Sequence, residues 1–173
     1  RRICLMHHDY DWKGYREGIE SIHKIRAQDK KIELVVFGAK IKNPEPLFQS
    51  TGFKFEYHYR PTPEKLREIY SSCDIFLCPS WHEGLGMPGM EAMACKAVLV
   101  TADTGGCRDY AIDGKTALIS PTRDIEGLTR NIIRLLDDES LLKFISKNGH
   151  QKISKLTFEN NCSRLQDIFE SAL

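Results

Sequence analysis

Short apolar runs and amphipathic stretches take turns along this chain, and the two periods predict an ordered series of strands and helices. Runs of strand length fall at Ile3–His7, Ile32–Phe37, Phe53–Tyr57, Ile75–Cys78, Ala97–Thr101 and Ala117–Ile119. Helical periodicity fits Gly14–Gln28, Pro63–Ser71, a stretch opening at Pro88 and a short piece near Cys107–Ile112, while Pro44–Gln49 reads as a loop with a helical turn. Within Pro63–Ser71, Leu66, Ile69 and Tyr70 share one apolar face. Strands that alternate with helices imply a mainly parallel sheet covered on both faces, because right-handed crossovers put the helices there. The expected fold class is α/β: three layers, α/β/α, on a six-stranded parallel sheet.

After Pro121 the alternation gives way to three helices, Asp124–Leu136, Glu139–Asn148 and Thr157–Ser171. Asp124 and Ser140 are candidate N-caps, Gly149 a C′ residue, and Thr157 with Asn160 opens the last helix. Leu128, Ile132 or Ile133, and Leu135 or Leu136 have the spacing of a core-facing stripe. No repeat, low-complexity segment or Gly/Ser/Pro-rich linker divides the chain, so residues 1–173 are expected to form one domain.

At 173 residues and 41% hydrophobic content the chain is long enough to bury a core of its own. Twenty-five basic against 24 acidic residues, a formal charge of +1, argue against bulk attraction to nucleic acid. The apolar runs are far shorter than the roughly 20 residues of a membrane-spanning helix. The cysteines at 4, 73, 78, 95, 107 and 162 form no C-x2-C pair and no zinc-ligand pattern, and most lie in apolar runs. They are expected to be free thiols in a reducing cytoplasm, and neither metal nor cofactor is expected.

The densest chemistry lies in Ser80-Trp81-His82-Glu83-Gly84-Leu85-Gly86-Met87-Pro88-Gly89-Met90-Glu91-Ala92-Met93-Ala94. It follows the apolar run Ile75–Cys78, and Pro88 suits the first residue of a helix, so the order is strand, glycine-rich turn, helix. Gly84 and Gly86 leave room for a ligand at the backbone, where open N–H groups and the helix dipole favour a diphosphate. Glu91, expected in the first turn, is placed to accept hydrogen bonds from vicinal hydroxyls, with Glu83 on the loop beside a second polyol. The bland alternative, an acidic first turn complementing its own dipole, accounts for Glu91 but not for Glu83 or the glycines.

Seven residues separate Glu83 from Glu91, and the segment resembles the Glu-x7-Glu signature of the retaining glycosyltransferases of family 4, the group 1 glycosyltransferases. Pro79-Ser80, the strand Ala97–Thr101, Gly105-Gly106, Asp113-Gly114 and Pro121 follow in the family's order. The resemblance implies two Rossmann-like domains of a GT-B fold facing each other across a cleft. This chain would be the C-terminal, donor-binding half, a fragment beginning at Arg1-Arg2, without the N-terminal acceptor domain and with little activity by itself. It implies a nucleotide diphosphate sugar as donor and transfer with retention to an acceptor hydroxyl, in polysaccharide or glycolipid synthesis. Localisation would be cytoplasmic, with the full-length protein able to dock on a membrane surface.

The resemblance distributes roles as follows. Lys13 and Glu83 would carry the chemistry, Lys13 on the leaving diphosphate and Glu83 on the donor sugar. Donor binding would fall to Gly14, Gly38, Tyr59, Gly84, Leu85, Gly86, Glu91, Thr104, Gly105 and Gly106, with Glu91 on the ribose; the loop of Tyr59 would meet the base through its backbone, the ring itself either stacking on the base or packing on the domain. Lys13-Gly14 matches the family's Lys-Gly pair, but the arginine that usually precedes it is absent, its neighbourhood holding His7 and His8. Lys96 stands where the family has glycine after the helix, and Gly105-Gly106-Cys107-Arg108-Asp109 replaces the usual Gly-Gly-x-x-Glu, so that Asp109 is expected to cap or pair locally. A non-catalytic nucleotide- or sugar-binding module remains open as an alternative. A dinucleotide-dependent oxidoreductase fits poorly: no G-x-G-x-x-G follows the first strand, and Gly38-Ala39-Lys40 offers no acid for a ribose. An epimerase of similar architecture matches these motifs less well.

Overall fold

The computed structural model describes residues 1–171. Six parallel strands, β1 Arg2–His7, β2 Glu33–Gly38, β3 Glu56–Tyr59, β4 Ile75–Cys78, β5 Val98–Ala102 and β6 Leu118–Ser120, form one sheet in the order β3-β2-β1-β4-β5-β6. The helices are α1 Tyr15–Arg26, α2 Glu45–Thr51, α3 Pro63–Ser72, α4 Met87–Ala94, α5 Ile125–Asp137, α6 Glu139–Ile153 and α7 Phe158–Ser171. Three-residue and four-residue 3-10 helices stand at Asp11–Lys13 and Gly106–Asp109, the latter where a short helix was expected near Cys107–Ile112.

Apart from the edge strand β3, which is Glu56-Tyr57-His58-Tyr59 and only partly covered, the strands read as apolar runs because the sheet is buried on both faces. Ile3, Leu5, Val36, Leu77 and Val100 point to a cluster completed by α1, α5 and α6. Their neighbours Cys4, Val35, Phe37, Phe76 and Leu99 point the opposite way, to a cluster with Tyr70 of α3 and Met93 of α4. The chain crosses from β1 outward to β2 and β3, then returns to lay β4 on the other side of β1. The connections leaving β1 and β4 therefore diverge, and a crevice opens between them at the carboxyl ends of the strands.

Local expectations fail in a few places. The third strand starts at Glu56 and not at Phe53, because its register is set by β2, where Val35 pairs with Glu56 and Gly38 with Tyr59. Phe53 instead packs edge-on against His23 and under Arg26. The loop at Pro44–Gln49 is a full helix, α2, closed by Gly52 at φ +71°. Asp138, not Ser140, caps α6, accepting from the Leu141 N–H at 2.9 Å. Gly149 lies inside α6, which continues to Ile153; a Cβ there would sit 2.9 Å from the Thr116 carbonyl oxygen, so the glycine serves close packing and not termination. Asp124 and Thr157 do cap as read, bonding the N–H groups of Gly127 and Asn160.

The cysteines are free thiols, with Cys4, Cys73 and Cys107 buried and Cys162 exposed. Among the described residues no helix is long and apolar enough to cross a membrane. On α7, Leu165, Ile168 and Phe169 are exposed.

Lys96, after α4, adopts φ +69°, the left-handed geometry that a glycine takes without cost, while its carbonyl accepts from Ser146 Oγ at 2.6 Å. A β-carbon in that region costs about 1–2 kcal/mol, partly offset by the unfolded-state freedom of glycine. Lys96→Gly is therefore expected to raise stability by about 0.5–1 kcal/mol, read as a higher urea midpoint with an unchanged slope; a lowered midpoint would contradict the assignment of strain.

Candidate functional site

The crevice is walled by two loops that meet without side chains between them. Gly14, at φ +67°, ends the 3-10 turn of the β1–α1 loop, and a Cβ on it would lie 2.1 Å from the Pro79 carbonyl oxygen of the β4–α4 loop. Around this contact the Trp81 N–H donates to the Trp12 carbonyl at 2.7 Å and the Ser80 hydroxyl to the Lys13 carbonyl at 3.4 Å. Lys13 is thereby aimed across the crevice, where Nζ donates to both carboxylate oxygens of Glu83 at 2.8 and 3.0 Å. Their side chains are only 19% and 12% exposed, so this is a half-buried ion pair rather than a surface one.

The other flank of the β4–α4 loop rests on the loop after β5. The Glu83 N–H donates to the Thr104 carbonyl at 3.4 Å, and Glu83 bridges to Gly105 as a short parallel pair. Gly106 touches the Gly84 backbone, its absent Cβ falling 1.9 Å from the Gly84 oxygen. Gly84 and Gly105, by contrast, have nothing within 4 Å of where a Cβ would be, so both present bare backbone to open space. Gly86 precedes α4 at φ +78°, its carbonyl held by the buried Tyr110 hydroxyl at 3.1 Å. The Gly86 and Met87 N–H groups lie before the first helical donor, Gly89, and Pro88 has none to contribute. An open cleft of about 590 Å³, lined by Trp12, Lys13, His82, Glu83 and Gly84, lies in front.

Glu91 is the fifth residue of α4, because the helix starts at Met87 and Pro88 is its second residue. It therefore stands in the second turn, not the first as expected, and the reading of an acidic first turn serving the dipole falls with it. The Tyr70 hydroxyl donates to it at 3.4 Å. The protein packed against its inner side pushes the Glu91 carboxyl above the usual range, the Tyr70 bond pulling the other way. Thr104 is buried, and its hydroxyl has no protein partner among the described residues.

Of the other sequence candidates, some lie apart from this cluster and some on its margin. Gly38 ends β2, and a Cβ there would press on the His7 carbonyl at 3.0 Å and the Tyr57 hydroxyl at 3.2 Å. Tyr59 is exposed at the end of the edge strand β3, two strands from β1, with Arg60 over its ring. Leu85 is exposed beside Gly84. His7 is buried edge-on against Tyr15, and burial pushes its pKa down, so it supplies no fixed positive charge in place of the arginine. Asp109 is exposed and has no side-chain partner among the described residues; Arg108 instead pairs with Asp103 at 2.6 Å. Tyr70 and Tyr110, which steady Glu91 and Gly86, were not singled out in the sequence as site residues; Tyr70 was read only as part of an apolar face. Trp81 is half-buried, donating to Glu17 with Arg123 over its ring, while His82 is exposed.

Two outcomes follow from this geometry. In a double-mutant cycle, Lys13→Met and Glu83→Gln should show a coupling of about 1–2 kcal/mol in urea unfolding, between the values for exposed and fully buried pairs; additive losses would mean that the pair is not formed in solution. Carbon NMR of the Glu91 carboxyl should give a midpoint above that of an ordinary glutamate, raised further by Tyr70→Phe, whereas a fall in that variant would reverse the assigned causes.

Comparison with known proteins gives the arrangement a lineage. The chain is 30% identical over 142 residues, 80% of its length, to the N,N'-diacetylbacillosaminyl-diphospho-undecaprenol alpha-1,3-N-acetylgalactosaminyltransferase of Campylobacter jejuni, of which it covers 36%. It spans well under half the length of the curated relatives it matches. The fold is shared with the C-terminal domain of a glycosyl transferase group 1 family protein from Francisella tularensis, at TM-score 0.75 and 20% identity, over 89% of this chain and 84% of that one. It is shared also with the Anabaena protein Alr3699/HepE, solved in complex with UDP and glucose, at TM-score 0.78 and 17% identity, over 99% of this chain and 48% of that one. A sequence model of the family described as glycosyl transferases group 1 matches residues 1–152, and the chain belongs to that family.

Proposed function

We propose that the chain is the donor-binding, C-terminal half of a retaining glycosyltransferase of family 4, which moves a sugar from a nucleotide diphosphate sugar to an acceptor hydroxyl. The observation that carries the reading is the meeting of Lys13 and Glu83 across the crevice in front of α4. A cation for the diphosphate and a carboxylate for the donor sugar stand within one contact of each other. Bare backbone at Gly84, which neither φ nor protein packing requires to be glycine, leaves space for the same ligand.

In this reading the diphosphate takes Lys13 from Glu83 and lies against the N–H groups of Gly84 to Gly86. These groups stabilise charge as it develops on the leaving phosphate, the part a divalent ion plays in other transferases. Glu83, released, accepts from hydroxyls of the donor sugar, and Glu91 from those of the ribose. The acceptor-side domain is supplied by the rest of the protein, with the membrane as one setting for a glycolipid acceptor. The relative from Campylobacter jejuni, whose name specifies a diphospho-undecaprenol, supports that setting. A second reading, a binding module without turnover, is favoured by one observation: His7 is buried, its pKa pushed down, so it does not supply the second cation on the phosphate side.

Calorimetric titration with UDP, GDP, ADP and dTDP tests the donor site. One nucleotide is expected to bind, about 10- to 100-fold more weakly in Lys13→Ala and in Glu91→Ala, the worth of one charge-assisted hydrogen bond. Binding indifferent to both variants, or none in the wild type, would overturn it. With the full-length protein, product formation separates enzyme from module, and the anomer seen by proton NMR decides retention.

A further inference from the structure

The β1–α1 loop carries aromatic rings that the reaction described above does not use. His8, Tyr10 and Trp12 stand in series, His8 and Tyr10 at 4.4 Å between centroids, Tyr10 and Trp12 stacked at 4.2 Å with 17° between planes. Tyr10 is 50% and Trp12 44% exposed, although rings of this size are ordinarily buried. Tyr10 N–H donates to His8 Nδ1, Lys13 N–H to the Tyr10 carbonyl, Gly14 N–H to the Asp11 carbonyl, and Trp81 N–H to the Trp12 carbonyl. These bonds define the backbone from which the two exposed rings project.

One face of Trp12 is taken by Tyr10, and Trp12 lines the cleft with Lys13, His82, Glu83 and Gly84. An aromatic wall beside an ammonium, an imidazole and a carboxylate complements a molecule with a flat C–H face and a rim of hydroxyls, which is a pyranose. Trp12 precedes Lys13 directly in the chain, whereas Glu83 leans on Gly105 at the opposite side of the cleft. If retention proceeds without a covalent intermediate, the acceptor hydroxyl arrives on the face the diphosphate leaves, and that is the Lys13 side.

We propose that Trp12, backed by Tyr10, is the stacking platform for a pyranose ring of the acceptor, so that this half of the protein takes part in acceptor recognition. The proposal rests on the glycosyl-transfer reading and is separable from it. With only two tryptophans, at 12 and 81, the chain has two indole N–H signals in nitrogen-edited NMR, assignable from Trp12→Phe. The probes are the methyl α- and β-glycosides of glucose and N-acetylglucosamine, with sorbitol as a polyol lacking a rigid ring, each titrated at millimolar concentration with and without UDP. The expected result is a saturable shift of the Trp12 signal by at least one glycoside and none by sorbitol. Ring-proton saturation transfer should show affinity weakened about three- to ten-fold in Trp12→Ala and less in Trp12→Phe, with thermal melts confirming that the variants fold. A shift from no glycoside while UDP binds would overturn the platform and leave the donor site intact. Glycoside binding without any nucleotide binding would uphold the platform and remove the donor reading. An equal response to sorbitol, or an equal loss of UDP and glycoside in Trp12→Ala, would reduce Trp12 to a prop for Lys13.

Discussion

The site depends on one constraint: the β4–α4 loop is gripped from two sides by backbone that tolerates no side chain. Gly14 meets the Pro79 carbonyl on one side and Gly106 the Gly84 carbonyl on the other, each so close that a β-carbon would overlap main-chain atoms. Main-chain contacts of this kind cannot relax as a flexible side chain does, so the loop between them has little freedom. The direction of Lys13, the seating of Glu83 beside Gly105 and the path into α4 all follow from that grip. The sheet order supplies its precondition, since only strands as near as β1 and β4 can bring their loops together.

The opposite end of the sheet has a different task. There Arg2 donates to Glu33 of β2 and Glu56 of β3, its backbone N–H reaches Asp74, and Arg1 pairs with Asp74 and Glu139. Arg2 holds the Glu56 carboxyl below its usual range. These groups are partly exposed, so each pair contributes little by itself, and their effect is to fasten the strand ends. Charges are spent in pairing at the amino ends of the strands, while at the carboxyl ends glycines and amides stand beside the pairs Lys13–Glu83 and Arg108–Asp103.

Much of the fold was legible because its cause is local. Strands buried on both faces announce themselves as apolar runs, and caps such as Asp124 act over three residues. Errors arose where the cause lies elsewhere in the chain. The start of β3 is decided by β2 and the role of Gly149 by Thr116. In the site, residue types could be read but not their engagement: Lys13 and Glu83 are 70 positions apart, and no local pattern says that they touch. Burial likewise removed His7 from consideration as a cation and left Trp12 uncovered, and neither outcome has a periodic signature.

The Lys13–Glu83 pair also bears on selectivity. A ligand bearing only phosphate, in the glycosyl-transfer reading, gains the ammonium at the expense of a half-buried carboxylate left without its partner, which is costly. An intact nucleotide sugar offers phosphate to one member and hydroxyls to the other at the same moment, so both remain satisfied. In that reading the resting pair discriminates for the whole donor against inorganic phosphate. Because its charges cancel before any ligand arrives, encounter gains little from long-range attraction, and salt should matter less to association than at a site with a bare cation.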